Sequence, residues 1–220
     1  MRILAIDGTG PIAVAAWENG SIGGPQILAT AARAERQDAD HLPAAVARCL
    51  SDAGWTPQGW DLLACSVGPG SFTAIRVCVA MARGLALAAG RPVLPVSRFE
   101  AIAARARREG IAGPLHVLID AGRSGWFSQD RPDEDEAGPP LSRPVLPDDD
   151  GTRILVGSGE NVHGIIADAT DVACVAANRL ARGERAVSGL ELTPLYLREA
   201  DARVGAGRSL LSPAGGPGWR

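Results

Sequence analysis

A chain of 220 residues, 46% hydrophobic and 21% charged, is long enough for a substantial core and too apolar to be disordered throughout. Its net charge of −3 and pI of about 5.6 argue against broad, non-specific nucleic-acid binding by the chain alone. All 22 of the Lys+Arg total are arginine, which excludes a Walker A loop and, unless the N-terminus serves, Schiff-base chemistry.

Ile3 to Ile6 reads as a strand that ends in Asp7-Gly8-Thr9-Gly10. Ile12 to Trp17 is a second strand, Glu18-Asn19-Gly20 a hairpin turn, and Gln26 to Ala31 a weaker third strand. Asp40 is placed to cap a helix from His41 to Ala53, with Pro43 in its first turn and Gly54 beyond its end. Leu62 to Val67 is a short apolar strand, Gly68-Pro69-Gly70 a turn, and Ser71 the N-cap of a helix that runs to Ala89 and is closed by Gly90. A strand at Val93 to Val96 leads to a helix capped by Ser97 and ending at Glu109, where Arg105, Arg107 and Arg108 suit the helix dipole. The order β-β-β-α-β-α-β-α predicts an α/β fold on a mixed sheet.

The helix after Ser71 is apolar almost all round. Ala74, Cys78, Met81, Gly84, Leu85 and Ala88 fall on one broad stripe at spacings of three and four. A glycine inside a helix costs about 1 kcal/mol against alanine, which close packing would explain. The stripe is a candidate interface for a partner helix, although the pattern fits packing on the chain's own sheet as well.

Leu115 to Ser128 repeats the opening: an apolar strand, an aspartate, a turn of small residues and a second strand, with Asp120 in the place of Asp7. This predicts an internal duplication, with a first half over 1–110 and a reduced second half over 111–204. Residues 130–152 read as a mobile acidic loop, and Ile154 to Val156 as a strand followed by the turn Gly157-Ser158-Gly159. Helices are expected at Glu160 to Ala167 and Val172 to Leu180, an extended segment at Leu192 to Leu197, and a disordered tail over 205–220.

Asp7, Gly8, Thr9 and Gly10 form a candidate phosphate-binding turn, since glycine-rich N–H groups cradle phosphate and an aspartate can hold Mg²⁺ through water. Ordinary turn chemistry fits the same residues. Gly68 to Ser71 and Gly157 to Gly159 invite the same two readings. His41, His116 and His163 supply no metal-ligand spacing, and no nucleophile elbow is present. Cys49, Cys65, Cys78 and Cys174 lie in apolar runs and read as reduced thiols. The N-terminus lacks a signal-peptide pattern, and Arg76 and Arg83 argue against a membrane span, so a cytoplasmic protein is expected.

The chain resembles the bacterial TsaB (YeaZ) family, a subunit of the machinery that makes threonylcarbamoyladenosine in tRNA. The likeness rests on Arg2 to Asp7, His41-Leu42-Pro43, Gly68-Pro69-Gly70-Ser71-Phe72-Thr73 with Ile75-Arg76, and Gly84 to Leu87; in the second half it rests on Ile119-Asp120-Ala121, Gly157 to Gly159 and Pro194 to Arg198. The resemblance implies an actin-like, Hsp70-like fold (ribonuclease H-like) of two related halves. It implies a non-catalytic scaffold that holds and activates the TsaD transferase through a helix bundle, with ATP and metal on TsaD rather than on this chain. It also implies a TsaE-like ATPase met through the complex, self-association through a related surface, and tRNA met only through the complex. Three positions depart from the family pattern. Asp7-Gly8-Thr9 stands where the family has Asp-Thr-Ser, Ala74 stands where it commonly has glycine, and Gly122 precedes Arg123. The first leaves an alternative: a stand-alone ATP-dependent phosphotransferase that uses Asp7 and Asp120.

Overall fold

In a computed structural model of the chain, residues 1–20, 24–32, 41–122, 125–133, 136–147, 151–159 and 162–197 are described. The first strand, β1 (Arg2–Asp7), is buried on both faces. Alternate side chains of a strand point to opposite faces, so Leu4 and Ile6 enter one core while Ile3 and Ala5 enter another. β1 runs antiparallel to β2 (Ala13–Gly20) and parallel to β4 (Leu62–Ser66). β3 (Gly24–Ala32) and β5 (Val93–Val96) complete a sheet of order β3-β2-β1-β4-β5.

The Asn-Gly pair is not the hairpin turn. β2 continues through it, with Asn19 opposite Pro25 and Gly20 opposite Gly24, because the ladder to β3 outweighs the local turn preference. The connection itself lies outside the described residues, as does Asp40. The N-cap of α1 (Leu42–Asp52) is His41. α1 and α2 (Phe72–Ala89) cover the Leu4/Ile6 face of the sheet. α3 (Arg98–Arg108) starts with a capping box: Ser97 Oγ accepts from the Glu100 N–H at 3.2 Å, and Glu100 Oε2 accepts from the Ser97 N–H at 2.8 Å.

The second sheet repeats the first strand for strand. β6 (Leu115–Asp120) pairs antiparallel with β7 (Trp126–Arg131) and parallel with β9 (Ile154–Gly157). β8 (Leu141–Arg143) and β10 (His163–Gly164) take the outer places, giving β10-β9-β6-β7-β8. Each pair has the sense of its counterpart, so the chain has the actin-like, ribonuclease H-like fold in two halves. Between β8 and β9 and between β9 and β10 no helix occurs among the described residues.

Two expectations are corrected here. The helix expected over Glu160 to Ala167 does not occur among the described residues of that span: His163 and Gly164 pair with Val156 and Gly157, and the capping box of Asp168 and Asp171 starts α4 (Ala169–Ala181) only afterwards. Residues 130–152 are not wholly a loop, since they contain the end of β7 and all of β8. β8 is an edge strand with three exposed residues, so it leaves no apolar alternation to read.

The last two helices are exchanged between the sheets. Phe99, Ile102 and Ala106 of α3 pack with Val117 and Ile119 of the second sheet. Val172, Ala173 and Ala176 of α4 pack with Ile3, Ala5, Ala13 and Ala15 of the first. A cut at residue 110 therefore separates strands but not cores. The chain then returns to the first half: Val187 and Val93 exchange backbone bonds of 2.8 Å, Leu192 is buried, and the Leu195 N–H donates to Val67 O at 2.8 Å. The segment 205–220, expected to be disordered, lies outside the described residues.

Candidate functional site

The turn after β1 is folded in on itself. Asp7 and Thr9 are each 2% exposed. Asp7 Oδ1 accepts from the Thr9 N–H at 2.9 Å and from its hydroxyl at 2.7 Å. Thr9 O accepts from Arg98 Nη1 at 3.0 Å. A Cβ on Gly8 would lie 2.2 Å from Cys78 Sγ of α2, and one on Gly70 would lie 3.0 Å from Thr9 O. The candidate phosphate turn is thus pressed against the start of α2, with the Thr9 N–H and one Asp7 oxygen already spent on each other. The counterpart Asp120 makes the same local bond, Oδ1 accepting from the Gly122 N–H at 2.7 Å, but is exposed.

Burial pushes the Asp7 carboxyl above its ordinary value of 3.8, against the hydrogen bonds from Thr9 and the charge of Arg98, which pull it down. A raised folded-state value favours the neutral form. Stability contributed at this position is therefore present below 3.8 and lost as pH rises through the folded value. Asp7→Asn should melt higher relative to the parent at about pH 7 than at about pH 4. Thermal melts across that range check this, and a difference independent of pH would refute it.

The stripe expected on α2 divides. Ala74 and Cys78 are buried in the chain's own core, and Met81 and Leu85 are half-buried against it. They leave the outward face because β4 and the Asp7 turn lie beneath them; a helix apolar all round gives no phase from which to tell. Gly84 and Ala88 are exposed, and the structure adds Thr73, Ala80 and Leu87 to that outer side. Leu87 is 52% exposed, and a Cβ on Gly84 would meet nothing within 4 Å. α2 is the one helix among the described residues long and apolar enough to cross a membrane by length and composition, yet its inner face is core.

The two charges of α2 are held by the returning chain. Arg83 Nε donates to Leu192 O at 2.8 Å. Arg76 stacks over Phe72 at 3.7 Å and its Nε donates to Tyr196 Oη at 3.0 Å, while Phe72 and Tyr196 lie 5.0 Å apart by ring centroid. Sequence spacing does not connect residues 72 and 196; the only hint is that both lie in segments that carry the family resemblance. Gly68 sits at φ +111°, and a Cβ there would lie 2.9 Å from Ile75 and 3.0 Å from Leu195 O. The Gly68 to Arg76 motif is thus a joint between a strand end, a helix start and the returning chain.

The remaining candidates separate. Among the described residues no helix begins behind Gly157 to Gly159, so none of them offers a helix N-terminus to an anion there. His116 is buried and pairs with Asp130 through Nδ1, while His163 is exposed on β10. No group of three His, Cys, Asp or Glu side chains placed to hold a metal occurs among the described residues.

The profile of a family described as TsaD, tRNA N6-adenosine threonylcarbamoyltransferase, matches residues 30–134. The tRNA threonylcarbamoyladenosine biosynthesis protein TsaB of Escherichia coli is 34% identical over 134 residues, 60% of this chain and 56% of that protein. A tRNA N6-adenosine threonylcarbamoyltransferase of Thermus thermophilus is 37% identical over 89 residues, 40% of this chain and 28% of that protein. The chain thus spans little more than half of the one and under a third of the other. A solved Pseudomonas aeruginosa structure, described as an uncharacterized protein with similarity to peptidase YeaZ, superposes with a TM-score of 0.74 at 26% identity over 90% of this chain and 99% of that one. A second, YeaZ from the same organism, gives 0.69 at 25% identity over 89% and 99%.

Proposed function

We propose, from the premise that the chain belongs to the TsaB/YeaZ family, that it is a non-catalytic subunit in the making of threonylcarbamoyladenosine in tRNA. Its task is to dock a TsaD-type transferase through the outer face of α2. The observation that carries this reading is that face: Ala80, Gly84, Leu87 and Ala88 form an exposed surface of small and apolar residues on a helix whose other side is core. Water is a poor long-term neighbour for such a surface, and small residues let a second helix approach closely.

The partner's chemistry follows from the profile match. Residues 30–134 span α1, α2 and α3, so a TsaD-type protein carries a counterpart of α2, and the two helices can meet across a pseudo-twofold axis. A second copy of this chain is the competing occupant of the same face. The closed Asp7 turn fits a chain whose partner carries the nucleotide and metal, and it speaks against the phosphotransferase alternative.

Co-purification of the full chain with the TsaD-type protein of the same organism tests the docking, with threonylcarbamoyladenosine in tRNA measured after depletion. A complex and loss of the modification are expected; no complex, or unaltered modification, would overturn the reading. In calorimetry of the isolated chain with Mg-ATP, no micromolar binding that depends on Asp7 is expected; binding lost in Asp7→Asn would restore the enzyme alternative.

A further inference from the structure

A cleft of about 600 Å³ lies between α3, α4 and the end of β7. It is at the opposite end of the second sheet from Asp120, since Arg131 pairs with Leu115 while Asp120 pairs with Trp126. In a chain of net charge −3, its lining holds five arginines: Arg107, Arg108, Arg131, Arg179 and Arg182. The acids facing them are Glu100, Asp133 and Glu184.

Most of that acidity is engaged by one cation. Arg179 Nη1 lies 3.1 Å from Glu100, and Arg179 also pairs with Glu184. Arg108 pairs with the buried carboxylate of Asp171. Arg107 donates to a backbone carbonyl, that of Ile111, at 3.1 Å. Among the described residues Arg131 reaches only Gln129 Oε1 at 3.4 Å, and its Nε is buried with no acceptor. Burial lowers the pKa of Arg131; Glu100 opposes this, and the charges of Arg107, Arg179 and Arg182 add to it.

A buried guanidinium N–H without an acceptor, among like charges, is costly unless an anion joins it. The planar fork of arginine matches phosphate oxygens. The volume is in the range of small-molecule sites, and Ala103, Ala104 and Val175 supply an apolar wall. We infer that this cleft binds a small phosphate-bearing ligand, its anion held by Arg131 and Arg107 and its apolar part against α3 and α4. The inference does not depend on the docking role of α2.

The test is calorimetric titration of the full chain with inorganic pyrophosphate. Saturable binding is expected, weakening with added salt, and falling by about tenfold or more in Arg131→Gln, the scale of a lost charged hydrogen bond. Should that variant misfold, Asn178→Asp decides: this exposed residue lines the cleft, and a carboxylate there should repel the anion at little cost to the fold. No pyrophosphate binding, or an unaltered affinity in Asn178→Asp, overturns the inference. Binding of a single-stranded RNA without binding of pyrophosphate also overturns it, in favour of a backbone contact.

Discussion

Gly84→Leu should raise the melting temperature of the isolated chain and weaken its complex with a TsaD-type partner about ten- to a hundredfold. The two effects have opposite signs because they arise from different surroundings. In the free chain nothing lies within 4 Å of a Cβ at Gly84, so a leucine meets no clash. It removes a helix-interior glycine, a gain of about 1 kcal/mol, which in a chain of this size is a rise of roughly 2–4 °C. In the complex the same side chain would fill space that a closely approaching helix needs, and overpacking costs about 1–3 kcal/mol. Thermal melts and calorimetry on one protein preparation measure both. A dissociation constant unaltered by the substitution would remove the outer face of α2 from the interface, whatever the melting temperature did.

Gly8→Ala should destabilise the chain by about 2–3 kcal/mol, and Cys78→Ala should abolish most of that cost. The added Cβ would lie 2.2 Å from Cys78 Sγ but 3.5 Å from Cys78 Cβ, an ordinary contact. Removing the sulfur alone leaves a small cavity and its own penalty, so the informative quantity is the coupling in a double-mutant cycle. Denaturant unfolding of the parent, both single variants and the double variant measures it. Additive costs would mean that the Asp7 turn does not press on α2 as described, and the turn would then be open to a ligand after all.

How much of this was legible beforehand varied with the kind of signal. β1, β4 and β6 are short, mainly apolar runs followed by turn residues, and this pattern locates them almost to the residue. The duplication was visible because Asp7 and Asp120 end equivalent strands, and each proves to accept a hydrogen bond from the backbone N–H two residues on. The N-cap of α3 was readable since Ser97 and Glu100 stand at the capping-box spacing. β8 and β10 were not, because edge strands with exposed side chains carry no apolar period. The rotational phase of α2 was equally hidden: with apolar residues on every side, only the sheet beneath decides that Ala74 and Cys78 go in and Gly84 stays out. Contacts between distant segments, such as Arg76 with Tyr196 or Arg108 with Asp171, have no local signature and needed the fold.

The crossing of α4 onto the first sheet bears on how the protein is made. While a ribosome is still synthesising the second sheet, Ile3, Ala5, Ala13 and Ala15 have no cover on their side of the nascent structure, because Val172, Ala173 and Ala176 have yet to be translated. A truncation product ending near residue 110 would display that apolar face and be drawn into aggregates or held by chaperones. Severed halves, expressed together, should instead rescue each other, since each carries the helix that the other lacks.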